Sequence, residues 1–544
     1  GGVLPTQPVL QPPSSAKPKL LTFAALAVLG WLLAWSFAWP WTHDAVGLVL
    51  HQPVPALQLL ALTAALYLLL GQAKPRTHLI QTWWFTANWL ASVTWWLVHA
   101  MTTYTNLYYI AASAAVLLLG VALALYMAVC VGGATAYLLP AFAGRRLLQA
   151  LTVAAAWTTA EWLRAQWFTG FPWGELAYTH VDNLRGTAAI LGSSGAGALL
   201  VALCAWWALW LREPKHGAPA VIAACLTVAV LLPSHYVRHL LPQWTTPSKT
   251  SDVTLVQGNV KQDAKFASTS AQTTNWYVQQ IQQATTPLVV LPETAFVQLP
   301  QHLPPALWLN LQAQLDSEQR AAIIGMPLSV GDGSYLNAVW GLSPNEATPY
   351  VYGKHHLVPF GEFVPTGFQW LTDAMGIPLG GFSSGGLDQR PMAWDGQQLA
   401  VQICYEDVFG DELAQRLWRS NGTPTAWVNV SNLAWFGDTP AIAHHVLMAR
   451  WRAIETGRPV IRATNTGATA IMDADGDVTA QLPHNQRGQL LGSFTGRSGL
   501  TPYVQWAGRW GHTPVWVLSF VVLAAAGLRR YLAHTHQRTR TLAG

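Results

Sequence analysis

Long apolar runs separated by short polar breaks fill the first 233 positions of the chain. A helix needs roughly 20 such residues to cross a bilayer. The runs Leu20–Trp41, Ala45–Leu70, Trp83–Met101, Tyr108–Pro140, Leu147–Leu163, Thr187–Leu211 and the shorter Ala218–Pro233 therefore predict seven spans. An eighth, Thr513–Leu528, follows a long gap. The run Tyr108–Pro140 exceeds the needs of one span, so it is expected to tilt, to kink at Gly132-Gly133, or to continue past the membrane. Inside the gap the pattern changes. Short β-rich runs predict strands at Val253–Gln257, Leu288–Leu291, Ala322–Gly325, Ala338–Leu342, Leu399–Cys404, Ala426–Val430, Val460–Ala463 and Ala468–Met472. Helical windows fall at Ser268–Ala284, Pro305–Gln319, Asp411–Arg419 and Ala441–Thr456. That alternation predicts a single α/β domain with strands packed between helices.

Charge sharpens this division. Only 10% of the 544 residues are Asp, Glu, Lys or Arg, against roughly a quarter in an ordinary soluble protein. Sixteen of the 55 lie in the first 243 positions. Basic residues cluster at alternate ends of the apolar runs: Lys17 and Lys19, Lys74 and Arg76, Arg145 and Arg146, Arg212 and Lys215, then Arg529, Arg530, Arg538 and Arg540. The loops around Thr42–Asp44 and Thr102–Leu107 carry none. The positive-inside rule then puts both termini in the cytoplasm and the insert on the far side, which in a bacterial inner membrane is the periplasm. The expected layout is a flexible segment 1–19, a membrane domain 20–234, an exported domain 235–511, a last membrane helix 512–530 and a cytoplasmic tail 531–544. The net charge of +5 has its home at the span ends, so nucleic acid is not an expected partner.

Four cysteines exclude a disulfide scaffold. Cys130, Cys204 and Cys225 fall within predicted spans, where a thiol behaves as a small hydrophobe. Cys404 is the only cysteine of the exported domain, and an unpaired thiol in an oxidising compartment is a candidate nucleophile. The competing reading is an inert buried cysteine. Its setting, Ile403-Cys404-Tyr405-Glu406-Asp407 at a predicted strand end, favours chemistry, because a reactive group there can face a cleft and the next backbone N–H can serve an oxyanion. A base and a cation are needed as well. Glu293 ends another apolar strand, Leu288-Val289-Val290-Leu291-Pro292-Glu293, and Lys354 stands in Gly353-Lys354-His355-His356-Leu357-Val358-Pro359-Phe360-Gly361-Glu362.

With these motifs the chain resembles the nitrilase (carbon–nitrogen hydrolase) superfamily and its Glu–Lys–Cys triad. More narrowly, it resembles the bacterial apolipoprotein N-acyltransferase family. Further carriers are Glu161-Trp162-Leu163-Arg164, Thr169-Gly170-Phe171-Pro172-Trp173, Val256-Gln257-Gly258-Asn259, Ser431-Asn432-Leu433-Ala434-Trp435-Phe436-Gly437-Asp438 and Gly457-Arg458-Pro459. One departure lies at Trp95–Leu107, which reads Thr-Thr-Tyr-Thr-Asn where the family usually has a Gly-Gly-Pro turn. The resemblance implies a polytopic α-helical membrane domain of about eight spans plus an exported α/β nitrilase-like domain, an αββα sandwich. It also implies ping-pong acyl transfer without cofactor or metal. Cys404 takes an acyl chain from a phospholipid, typically phosphatidylethanolamine. The thioester is then attacked by the α-amine of the diacylglyceryl-modified N-terminal Cys of an apolipoprotein. Glu293 is the implied base, Lys354 the oxyanion stabiliser, and Glu362, Tyr405 and Glu406 the supports; a monomer is expected. A free thiol near pKa 8.5 and a free glutamate near 4.3 stand about 6 kcal/mol apart for proton transfer, and Lys354 is expected to lower the thiol.

Other features have simpler readings. The pairs His355-His356 and His444-His445 lack further ligands at metal-site spacing. Asp473-Ala474-Asp475-Gly476-Asp477 lacks the closing Glu of a calcium loop and predicts a hairpin turn. Glu161 and Arg164 either touch a lipid headgroup or pair with each other. The segment Phe363–Gly386, with Phe368, Trp370 and Leu371, is apolar enough to predict a mobile lid at the bilayer, with Trp244, Phe171 and Trp173 facing it across a substrate entrance. Two alternatives stay open: a membrane-tethered nitrilase-type amidase, and a transporter or scaffold whose exported domain only binds.

Overall fold

A computed structural model describes residues 17–71, 73–105, 107–261, 269–359, 362 and 382–544. Its N-terminal half is helical: α1 (Lys17–Phe37), α2 (Pro55–Leu69), α3 (Pro75–Val93), α4 (Leu97–Tyr104), α5 (Tyr109–Met127), α6 (Arg146–Gln166), α7 (Arg185–Arg212) and α8 (Ala218–Leu231). Among the described residues four helical stretches are long and apolar enough to cross a membrane: Lys19–Phe37, Tyr109–Phe142, Arg185–Arg212 and Thr513–Ala543; a fifth arises if α8 and the bent turn Ser234–Leu240 count as one. The second apolar run begins its helix only at Pro55, because Ala38–Val54 folds as a loop closed by Trp39 and His43 backbone bonds. The surplus length of the fourth run is absorbed without a sharp bend, by π-helical turns at Ala128–Gly132 and Ala134–Leu138. Small residues bring these helices together. A Cβ on Gly120 of α5 would stand 2.7–2.9 Å from Ala91 of α3, so only glycine permits that approach.

Helix α7 is broken at Gly192, whose φ of 69° belongs to the left-handed region. The break frees the Ser193 N–H, which donates to the Glu455 carboxylate at 3.1 Å. Glu455 lies in the other half of the chain, so the break is where the two halves lock.

That other half contains two six-stranded sheets. The first, in the order β14-β1-β2-β3-β6-β7, comprises β1 (Thr246–Gln257), β2 (Leu288–Val290), β3 (Ala321–Gly325), β6 (Ala338–Leu342), β7 (Tyr350–Gly353) and β14 (Gly488–Ser498). The second, β13-β12-β11-β10-β9-β8, comprises β8 (Met392–Trp394), β9 (Gln397–Ile403), β10 (Ala426–Ser431), β11 (Val460–Thr464), β12 (Ala470–Met472) and β13 (Val478–Gln481). A small ladder pairs β4 (Leu328–Ser329) with β5 (Tyr335–Leu336). Val253, Val290, Ile323 and Val339 of one sheet meet Leu399, Val401, Val428 and Ile461 of the other in a common core. On the outer face of the first sheet pack α9 (Ser270–Gln283) and α10 (Pro305–Glu318), through Tyr277, Ile281, Leu311 and Leu315. On the outer face of the second pack α11 (Gly410–Arg419), α12 (Ala441–Thr456) and α13 (Pro502–Trp510), through Leu413, Leu417, Ala449 and Val504. The layers therefore run helix–sheet–sheet–helix. The final helix α14 runs unbroken over Thr513–Ala543, so the stretch expected as a tail from residue 531 continues the helix.

Candidate active site

Parallel pairing sets both sheets' functional residues at one end. In β9, Leu399–Ile403 lie beside Ala426–Val430 of β10, all buried, so the strand is fixed in register up to its last residue. The chain then turns at Cys404, which has φ 51°, a left-handed conformation that a non-glycine residue holds only when its surroundings impose it. Here they do. Asn429 Nδ2 donates to the Cys404 carbonyl at 3.3 Å. The Glu406 carboxylate accepts from Ile403 N–H (3.1 Å), His355 N–H (2.6 Å) and Tyr352 Oη–H (2.6 Å), clamping the turn to the other sheet. Cys404 begins a single helical turn, Cys404–Val408, and the Tyr405 N–H, within its first turn, has no intrahelical acceptor.

Glu293 follows β2 across the inter-sheet gap. Its carboxylate accepts from Asn337 Nδ2 at 2.7 Å and from the Asn432 N–H at 2.9 Å. Asn432 follows β10, so the second sheet itself orients this carboxylate. A Cβ on Gly325 would stand 2.9 Å from the Glu293 Cα, which explains a glycine at the end of β3. Lys354 follows β7 and is 1% exposed; its Nζ lies 2.6 Å from Glu362 Oε1, and its N–H donates to the Asn337 carbonyl at 2.8 Å. Asn337 thus holds Glu293, Lys354 and Glu362 together, since its Nδ2 also donates to Glu362 Oε2 at 3.2 Å. Sequence reading missed it, although a polar residue between Leu336 and Ala338, just ahead of the apolar strand β6, was the available signal.

The three groups act on one another electrically. Burial would lower the Lys354 ammonium, but the charges of Glu362, Glu293 and Cys404 hold it above its ordinary value. Burial pushes the Cys404 thiol up, to about 12, and Glu293 adds to the rise; Lys354 and Arg462 pull it down without prevailing. The expectation that Lys354 would leave the thiol lowered is thus corrected, because desolvation and the neighbouring carboxylate outweigh one cation.

Comparison with known proteins decides the family. Residues 44–206 match the family model of the apolipoprotein N-acyltransferase N-terminal domain, and residues 252–498 match that of carbon-nitrogen hydrolases. The apolipoprotein N-acyltransferase of Verminephrobacter eiseniae is 40% identical over 523 residues, covering 89% of this chain and 94% of that protein. That of Ralstonia nicotianae is 39% identical, covering 82% and 84%. The chain belongs to the apolipoprotein N-acyltransferase family. It is an acyltransferase and a membrane protein, with a nitrilase-like carbon–nitrogen hydrolase domain in its C-terminal half. A solved carbon-nitrogen hydrolase from Helicobacter pylori G27 aligns at 16% identity over 48% of this chain and 92% of that one, with a TM-score of 0.34.

In this acyltransferase the turn that begins at Cys404 rests directly on the helical half. Tyr405 Oη donates to the Gly170 carbonyl at 2.9 Å, and His356 Nε2 lies 2.9 Å from the Thr169 carbonyl. The loop carrying both acceptors is braced by Arg164, which pairs with Glu161 at 2.6 Å and donates to the Trp173 carbonyl at 2.6 Å. Glu161 and Arg164 therefore pair with each other. The histidine pairs are structural here as well: His355 and His356 face Glu412, His444 accepts from the Trp173 indole at 3.1 Å, and His445 sits 2.5 Å from Asp407. The Asp473–Asp477 turn joins β12 to β13, and Asp477 bridges Arg185 (2.7 Å) and Arg238 (2.6 Å).

The entrance residues fare unevenly. Phe171 is partly buried and stacks on Trp173. Trp173 is 1% exposed, sealed between Trp96, Phe436 and His444, and so packs the domain interface rather than lining an opening. Trp244 precedes β1 and is exposed, and most of the segment it is expected to face is not among the described residues. Phe368 and Trp370, with most of the expected lid, lie outside the described residues.

Proposed function

We propose that the chain transfers an acyl chain from a membrane phospholipid, with phosphatidylethanolamine the expected donor, to the α-amine of a diacylglyceryl-modified N-terminal Cys, through a thioester on Cys404. The observation that carries this reading is the convergence of Glu293, Lys354 and Cys404, each within electrostatic reach of the other two. In the first half-reaction the Glu293 carboxylate takes the thiol proton as the sulfur attacks the ester carbonyl. Because the resting thiol is held protonated, proton transfer and S–C bond formation proceed together. The Lys354 ammonium and the Tyr405 N–H receive the oxyanion, a contribution worth about 2.7–4 kcal/mol per donor. The protonated Glu293 then hands its proton to the departing lysophospholipid. In the second half-reaction the acceptor amine, ordinarily near pKa 7.7–8.0, attacks the thioester while Glu293 removes its proton; the C–S bond then breaks and Glu293 returns that proton to the Cys404 sulfur, leaving the amide and the free thiol. We place the enzyme as a monomer with eight spans in a bacterial inner membrane, with residues 235–511 in the periplasm.

Mass spectrometry of the purified enzyme tests this. An acyl adduct is expected on Cys404, discharged by a synthetic diacylglyceryl peptide but not by a small amide. It should be absent from Cys404→Ala and from Glu293→Gln. An adduct that forms at the wild-type rate in Glu293→Gln removes Glu293 from the role of base.

A further inference from the structure

Helix α8 stands apart from its neighbours. Of its residues only Ala223 is buried, whereas Val221, Ile222, Leu226 and Val228 are 53–67% exposed. Between α8, α6 and α7 runs a crevice of about 1450 Å³. Its walls are apolar, with Leu151, Leu199, Leu203, Trp206, Ile222 and Leu226 prominent. Its two ends differ: Asn183, Thr187 and Ser234 make one neutral and polar, whereas Arg145 and Arg146 at the start of α6, Arg212 at the end of α7, and Lys215 line the other, with Glu213 the single carboxylate among them. Arg146 donates to the Glu213 carbonyl, and Arg212 donates to the Tyr67 carbonyl at 2.8 Å while lying over the Tyr67 ring. Among the described residues no ion pair joins any of the four cations to a carboxylate.

The position of this basic mouth follows from α7. Ser193 touches Glu455 of the catalytic half, and Arg212 lies nineteen residues further on, roughly 29 Å along the helix axis. That distance is about the thickness of a bilayer's hydrocarbon core. The mouth therefore opens at the membrane face opposite the catalytic domain, and the crevice is separate from the Cys404 site. A gap of this size within the hydrocarbon region does not stay empty, since its walls would forgo their dispersion contacts. Water does not fill its middle either, where Leu151, Leu199, Leu203, Ile222 and Leu226 offer no polar side-chain partners. The matter available is acyl chain.

We propose that this crevice binds one phospholipid of net negative headgroup charge from the leaflet opposite the catalytic domain. Its tails fill the space between α6, α7 and α8, and its phosphate sits among Arg145, Arg146, Arg212 and Lys215. A zwitterionic lipid fits less well, because its ammonium would face the same four cations. This lipid is not the acyl donor, as the thiol lies at the other face, and its role is to hold α8 to the bundle. The inference rests on the membrane placement proposed above but not on the triad.

The test uses the full chain in nanodiscs of phosphatidylcholine doped with phosphatidylglycerol carrying a photoactivatable tail. Adducts are expected on the peptides spanning Leu199–Trp206 and Ile222–Leu226, suppressed by unlabelled phosphatidylglycerol and spared by added phosphatidylcholine. The double variant Arg145→Gln/Lys215→Gln should need roughly 10- to 30-fold more labelled lipid for the same crevice labelling, with acyl transfer unchanged. Equal suppression by the two unlabelled lipids on the wild-type protein overturns the proposal, as do adducts that avoid both peptides. Failure of Cys404 to acylate would leave these readouts intact, so the two hypotheses fail separately.

Discussion

The resting state of Cys404, the proposed nucleophile, gives the sharpest quantitative test. If burial and Glu293 hold the Cys404 thiol near 12, the enzyme carries no preformed thiolate. At pH 8 an ordinary thiol near pKa 8.5 is ionised in about one molecule in four, and a thiol at about 12 in about one in ten thousand, a loss of roughly 2,500-fold. A thiolate of higher pKa is intrinsically the stronger nucleophile; with a Brønsted slope of about 0.45 that returns roughly 40-fold. Exchange with a small neutral aromatic disulfide should then run roughly 60-fold slower than for free cysteine, and should climb about tenfold per pH unit from 7 to 10 without a plateau. The assay is chromophore release, followed on a chain carrying Cys130→Ala, Cys204→Ala and Cys225→Ala so that Cys404 is the only thiol. Restricted access through the protein would lower the whole curve but leave its slope unchanged. A rate that levels off near pH 7 would mean a standing Cys404–Lys354 ion pair, and would falsify the view that Glu293 must take a proton during attack.

Three further outcomes follow from the geometry. Tyr405→Phe leaves the Gly170 carbonyl without its buried donor and should cost about 1–3 kcal/mol of stability, read as a lower thermal midpoint in detergent; an unchanged midpoint would mean the contact carries no load. Glu412 is held down at about 2: burial would raise it, but hydrogen bonds and charge from His355 and His356 prevail, while His355 is raised by the Glu412 hydrogen bond. The carboxylate's contribution is present above about pH 4.3 and lost as pH falls towards 2, and that of His355 is complete below about 6.5 and fades as pH rises through its folded value, so Glu412→Gln should destabilise most between those limits; an equal loss at pH 5 and pH 9 refutes the linkage. A periplasm-dependent reporter fused after Trp244 should be active and one fused after Lys74 silent, and the reverse pattern would overturn the proposed topology.

Much of the catalytic half was legible because its central strands are continuous apolar runs. Ala338–Leu342 and Ala441–Thr456 were read with the bounds they have, and β2, β3, β9, β10 and β11 to within two residues. The unread strands lack that signature. The first half of β1, Thr-Pro-Ser-Lys-Thr-Ser, is mostly exposed and owes its conformation to pairing with β14. Likewise β14 alternates buried with open positions at a sheet edge and contains three glycines. The triad could be found from strand ends together with family motifs. Asn337, which holds these residues together, could not: it acts through Lys354, Glu362 and Glu293, 17 to 44 residues away, and no local pattern encodes such distances. Trp173 misled because its bulk and its N–H serve equally well to seal an interface.

The broken helix α7 also imposes an order on biosynthesis. The ribosome delivers Gly192 and Ser193 some 260 residues before Glu455, the side chain that accepts the Ser193 N–H. Until the catalytic half has been made and folded, the segment from Ser193 to Arg212 presents an uncapped helix start, with its positive dipole end facing a partner that does not yet exist. Tyr503, whose ring lies where a Cβ on residue 192 would stand, arrives later still. A nascent chain halted before α12 would expose a helix terminus of the kind that quality-control proteases encounter in unfinished bundles, and completing the distant α/β half is what removes it.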